Sequence, residues 1–238
     1  MTVPSNLGVA VAAIALALLL GSCGSGGSDT TTDGTEGATL LAPQDLPSGT
    51  VATIVEVPAG AEMPFEGPLE DCNGDMAAPD VGEITRAEFD CALTQNAAAS
   101  GLKEPPKPGD PKYEQARDAA MKALIENVWI QGQAVEDGLS ASEAEIAAEL
   151  RHLRKENFKS ASDYEKFLRS SHYTAQDVDE RIKIQILSTK LQRLVEGETS
   201  PQSRKRAFDE FVTSLRRRWR ARTVCAPVFV VEECSNGS

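Results

Sequence analysis

"ARDAAMKALIENVWIQGQAVEDGLSASEAEIAAEL" runs from Ala116 to Leu150, and its reading decides the fold. Ala116, Ala120, Leu124, Val128 and Gln131 recur on one stripe at helical spacing, with Ile125, Trp129 and Ala134 beside them. One face of a long helix is therefore apolar over its whole length. Gly138 follows the pattern, and glycine accepts the left-handed backbone that ends helices. Ser142 and Glu145 then supply the S-x-x-E spacing in which hydroxyl and carboxylate each satisfy a free backbone N–H at a helix start. The stretch predicts a helix from Tyr113 to about Asp137, a sharp stop, and another helix to about Asn157.

The same signals extend outward. Thr85 with Glu88 predicts a helix from Arg86 to about Gln95, and the proline-rich run from Glu104 to Pro111 separates it from the next. Ser162 with Glu165 opens a short helix carrying Tyr164, Phe167 and Leu168. Thr174 with Asp177 opens a long one to Val195, whose Val178, Ile182, Ile186, Leu187, Leu191 and Leu194 form a broad apolar face. Phe208, Phe211, Val212, Leu215 and Trp219 recur at helical spacing and are assigned to the core of a last helix from about Ser203 to Arg222. Val51 to Val57 is β-branched between Pro47 and Pro58 and reads as a strand. Val228 to Val231 reads as a second short apolar segment, expected to pair beside Val51 to Val57 or to cover the helices. The fold class is mainly α with one or two short strands.

The N-terminus sets the compartment. Leu7 to Leu20 is an uncharged apolar run of signal-peptide length, too short to span a bilayer comfortably. It ends in Leu20-Gly21-Ser22-Cys23, which resembles a bacterial lipobox, although the six residues before the run carry no Lys or Arg. Residues 1–22 are thus expected to be a lipoprotein signal peptide, with Cys23 diacylated by palmitate-type chains and residues 23–50 forming a polar tether. A helical domain over 51–223 and a disulfide-closed segment over 224–238 follow. The expected location is the extracytoplasmic face of a bacterial cell membrane, lipid-anchored.

Cysteine usage agrees with export. Cys72, Cys91, Cys225 and Cys234 remain, an even number that allows three pairings. Proximity favours Cys72 with Cys91 and Cys225 with Cys234; loops this short stabilise by about 3 kcal/mol each. The two histidines, His152 and His172, lie far from these cysteines in helical segments, so no metal is expected.

Charge is unevenly placed. The net charge is −12, yet from Gly24 to Ser100 there are 14 acids against the single Arg86, and the rest of the protein nearly balances. The acids from Glu66 to Asp75 follow no calcium-loop spacing and read as solvated charge. Arg204 to Arg222 holds eight bases against Asp209 and Glu210, a segment able to lie against the acidic third or against anionic headgroups. Arg216, Arg217, Arg218, Arg220 and Arg222 read as the solvated side of the last helix. An exported protein meets little nucleic acid, so that partner is excluded. No nucleophile–base pair or phosphate-binding loop occurs, and neither catalytic residues nor cofactors are expected.

The ordered series "GEITRAEFDCAL", the opening stretch, and "FKSASDYEKFLRSSHYTAQDVDERIKIQILSTKLQ" resembles the N-terminal chaperone domain of SurA-like and PrsA-like exported foldases. Ala134, Gly138, Leu139, Ser142, Glu145, Phe158, Asp163, Phe167, Leu168, Thr174 and Asp177 carry the likeness, which covers about Val51 to Leu194. The resemblance implies a helical cradle that holds unfolded or newly exported polypeptides, with Trp129, Phe158, Tyr164, Phe167 and Tyr173 as candidate lining. Complete members insert a parvulin-type prolyl isomerase domain after the long helix, for which residues 196–202 leave no room here. A binding protein without covalent chemistry is the expectation; the alternatives are an isomerase-type foldase with a degenerate site and an envelope-assembly lipoprotein with one dedicated partner.

Overall fold

The computed structural model describes residues 42–61, 81–197 and 200–237. The apolar run, Cys23, the tether before residue 42, Cys72 and the acids from Glu66 to Asp75 lie outside the described residues. Six helices appear among the described residues: α1 (Arg86–Ala99), α2 (Tyr113–Glu136), α3 (Glu143–Asn157), α4 (Ala161–Ser171), α5 (Ala175–Glu196) and α6 (Pro201–Ala221). Strands β1 (Thr50–Ile54), β2 (Glu83–Thr85) and β3 (Thr223–Cys225) form one antiparallel sheet in the order β2-β1-β3. The fold belongs to the mainly α class.

Local chemistry places the helix ends. Thr85, Ser142 and Thr174 each form a reciprocal capping box with Glu88, Glu145 and Asp177. At the far end of α2, Gly138 turns left-handed with φ +68°, its N–H bonds Val135 O and that of Leu139 bonds Ala134 O. These two bonds are a Schellman closure, and Leu139 packs on Ala134 to complete it. Helix α4 starts two residues earlier than the Ser162–Glu165 spacing suggests. Ser160 is its N-cap, accepting from the Asp163 N–H; two overlapping S-x-x-D/E spacings compete, and the first wins.

The sheet is assembled from distant segments. Ala52 faces Ile84 in β2 and Cys225 in β3, so β1 is the central strand. It stops at Ile54, short of the expected Val57, because Glu56 adopts a left-handed φ of +57°. Val228 to Val231 forms no strand. The partner of β1 is Thr223–Cys225 directly after α6, and Pro227 opens a 3-10 turn to Phe229. Proline lacks the N–H a ladder needs, and the bend returns the backbone toward β3. Phe229 and Val231 are nevertheless buried and cover the core, while Val228 is exposed.

One large apolar cluster joins the sheet, the inner faces of α1 and α2, Leu215 and Trp219 of α6, and Phe229, Val231 and Cys234. Trp219 is fully buried and lies over Gly132 so closely that a β-carbon there would sit 2.2 Å from the indole. The second indole, Trp129, donates to Thr223 Oγ1 at 3.0 Å, and that hydroxyl donates to Trp219 O at 2.8 Å. A separate small cluster, Tyr173, Val178 and Ile182, with Ile146, Leu150, Phe167, Leu168 and Ile186 against it, holds α3, α4 and α5 together. Buried Gln95 ties this arm to α1, donating to Asp177 Oδ2 at 3.2 Å and accepting from Arg181 at 3.1 Å. Lys190 pairs with Glu145 at 2.6 Å and donates to Ser140 O, fixing α3 on α5; the ammonium holds the Glu145 carboxyl down to about 2.

Candidate functional site

Helix α6 has two unlike halves. Leu215 and Trp219 are buried, whereas Phe208, Phe211 and Val212, which periodicity assigns to the core, are only half-buried. These three, with Leu215, line an apolar cleft whose other wall is Ile130 and Trp129 of α2 and Ser188 and Leu191 of α5. The facing wall is short because Leu194, the next apolar residue of α5, is 55% exposed and turned away. Periodicity thus places these residues on the right face, but the depth of cover depends on a distant helix end. The local hint is the α5 stripe drifting off the shared face at its last turn.

A second cleft, of about 540 Å³, lies where the C-terminal half of α6 meets the C-terminal segment, lined by Trp129, Arg216, Arg217, Arg220, Ala221, Glu232, Glu233 and Ser235. The two clefts share Trp129 and Arg216. At their junction buried Glu126 pairs with Arg216 at 3.3 Å and Lys122 at 3.7 Å, and Lys122 reaches buried Glu233 at 3.1 Å. Burial outweighs these cations and pushes the Glu126 carboxyl above its ordinary range.

The arginines of α6 are not simply a solvated face. Arg220 donates to the carbonyls of Cys234 at 3.1 Å and Gly237 at 2.8 Å. Arg218 donates to Gln133 and pairs with Glu136, and Arg222 pairs with Glu136 at 2.8 Å and Glu56 at 3.3 Å while stacking over Trp219. Trp219 seated over Gly132 brings the glutamates of α2 within reach of these long side chains, which one-dimensional periodicity could not reveal. Arg217 remains exposed.

The Cys225–Cys234 bond is formed and closes the C-terminal segment onto β3. Cys91 is buried and disulfide-bonded; Cys72, its expected partner, lies outside the described residues. Of the candidate lining residues, Phe158, Tyr164, Phe167 and Tyr173 come together in one aromatic cluster with ring centroids 5.2 to 6.4 Å apart. Tyr164 and Tyr173 are buried there and Phe158 and Phe167 half-buried, so the cluster is chiefly the core of the α3–α5 arm. Trp129 lies apart from it and is 1% exposed, a core residue at the back of both clefts. Neither histidine belongs to a constellation: His152 is exposed beside Glu156, and His172 ends α4 in a left-handed turn. Among the described residues no group of His, Cys, Asp and Glu is placed to hold a metal, and no helix is long and apolar enough to cross a membrane.

The fold is a helical, disulfide-closed domain with two adjoining clefts. Residues 60–192 match the family of the SurA-like N-terminal domain, more than half of the sequence, and the protein belongs to that family. No curated protein and no solved structure matches it. The matched span ends within α5, so β1, which helps complete the core, and α6 and the C-terminal segment, which supply part of the lining of the clefts, lie outside it.

Proposed function

We propose that the protein is a lipid-anchored, extracytoplasmic chaperone that binds apolar segments of unfolded or newly exported polypeptides without covalent chemistry. The observation that supports this reading is the half-covered row Phe208, Phe211 and Val212 facing Ile130 and Leu191. The cleft itself holds only about 50 Å³, so an apolar segment would lie along the half-exposed row instead of entering a cavity. Family membership supports the chaperone class, and the Leu20–Cys23 sequence supports the anchor. Protein from Cys23 onward should suppress aggregation of a chemically denatured client without accelerating prolyl isomerisation in a short peptide. Replacing Phe208 and Val212 together by serine should abolish that suppression while the fold persists. Isomerisation at a rate dependent on His152 or His172 would overturn the reading. Metabolic labelling with a palmitate analogue, lost on Cys23→Ser, tests the anchor separately.

A further inference from the structure

The apolar cleft does not end blind: it meets the arginine-lined cleft at Trp129 and Arg216. The charges around the second cleft do not cancel. Arg216 is matched by Glu126, and Glu233 by Lys122. Arg220 gives Nε and one Nη to two carbonyl oxygens, which are neutral, so its other Nη is left to donate and its positive charge keeps no carboxylate partner among the described residues. Arg217 lines the same cleft and is exposed. Among the described residues that line it, only Glu232 at the rim is left to oppose these two guanidinium groups.

Resting on the polypeptide-binding reading above, we propose that the paired clefts select segments in which apolar side chains stand next to a carboxylate. The apolar side chains lie against Phe208, Phe211 and Val212, and the carboxylate passes Arg216 to meet Arg217 and Arg220. The carboxylate is an aspartate or glutamate side group or the free carboxyl end of a polypeptide; both present the same planar acceptor to a guanidinium fork. A basic segment is disfavoured by the same groups.

The test measures binding of dye-labelled peptides sharing one apolar core. One peptide is flanked by glutamate with an amidated end, one by glutamine with an amidated end, one by glutamine with a free terminal carboxylate, and one by lysine. The glutamate and free-carboxylate peptides should bind about threefold to fivefold tighter than the glutamine amide, an advantage that shrinks with added salt. Arg217→Glu should erase or reverse the preference with the melting temperature unchanged; Glu232→Gln should enlarge it. Equal binding of all four peptides overturns the carboxylate preference and leaves the chaperone reading standing. Binding of none overturns both. Binding instead to phosphatidylglycerol vesicles by the protein from Cys23 onward, without lipid attached and lost in Arg217→Glu, would reassign the basic cleft to a membrane surface and overturn the proposal.

Discussion

The two halves of α6 share one amphipathic period and meet different fates. In the C-terminal half, Leu215 and Trp219 enter a core already bounded by α2, the sheet and the disulfide-closed segment. In the N-terminal half, Phe208, Phe211 and Val212 face a wall that runs out where Leu194 turns to solvent. Periodicity reports which face of a helix is apolar, whereas cover depends on what other elements bring to that face. Stability should therefore reside mainly in the C-terminal half and the proposed binding in the N-terminal half.

Trp219→Ala probes the covered half most severely. It should cost about 3–5 kcal/mol in urea unfolding, since the indole is fully buried and its N–H bonds an internal partner, Gln133. A loss below about 1 kcal/mol would erase the distinction between the halves. Replacing Cys225 and Cys234 together by serine should remove about 3 kcal/mol under oxidising conditions, with no difference from wild type once both are reduced. Gly132→Ala should cost about 1–3 kcal/mol, because α6 must shift to admit a β-carbon against Trp219.

A subtler effect concerns the protonation of Glu88, in the same core. Burial raises its carboxyl to about 7 from 4.5, and Oε1 finds no partner among the described residues. The folded protein holds this proton where the unfolded one has released it. The stabilisation is full below about pH 4.5 and is lost as pH rises through 7. Glu88→Gln, which keeps a side group suited to the capping box, should gain on wild type by about 1 kcal/mol or more between pH 5 and 7.5 in paired melting curves. The smallest stability change belongs to the open half. Phe208→Ser with Val212→Ser, both half-buried and outside the core clusters that Phe211 packs against, should shift unfolding by less than about 1 kcal/mol while peptide binding disappears; a large loss of stability would show that the row is core after all.

Much of this is legible in the sequence where the cause is local. Thr85, Ser142 and Thr174 announce helix starts through side chains that bond their own backbone, and Gly138 announces an end. The α2 stripe marks the central helix. Tertiary pairing is less visible. Nothing in Val224 and Cys225 favours the residues just after α6 over the more apolar Val228–Val231 as the strand. The partners of Arg218 and Arg222 likewise lie on α2, over 80 residues away. Trp129, Tyr164 and Tyr173 suggest themselves as lining because they are large and aromatic, but in the fold the same size drives them inward. Phe208 and Phe211, which do line the cleft, carry no mark in the sequence that separates them from core.

The position of β1 has a mechanical consequence. Its two ladders bind it to β2 on one side and β3 on the other, both antiparallel. A pull on the residues preceding Thr50 would load both ladders along the strand axis, so several hydrogen bonds share the force instead of parting one after another. An edge strand in that place would peel. In the N-terminally tethered protein proposed above, tension would fall on the strand best able to resist it.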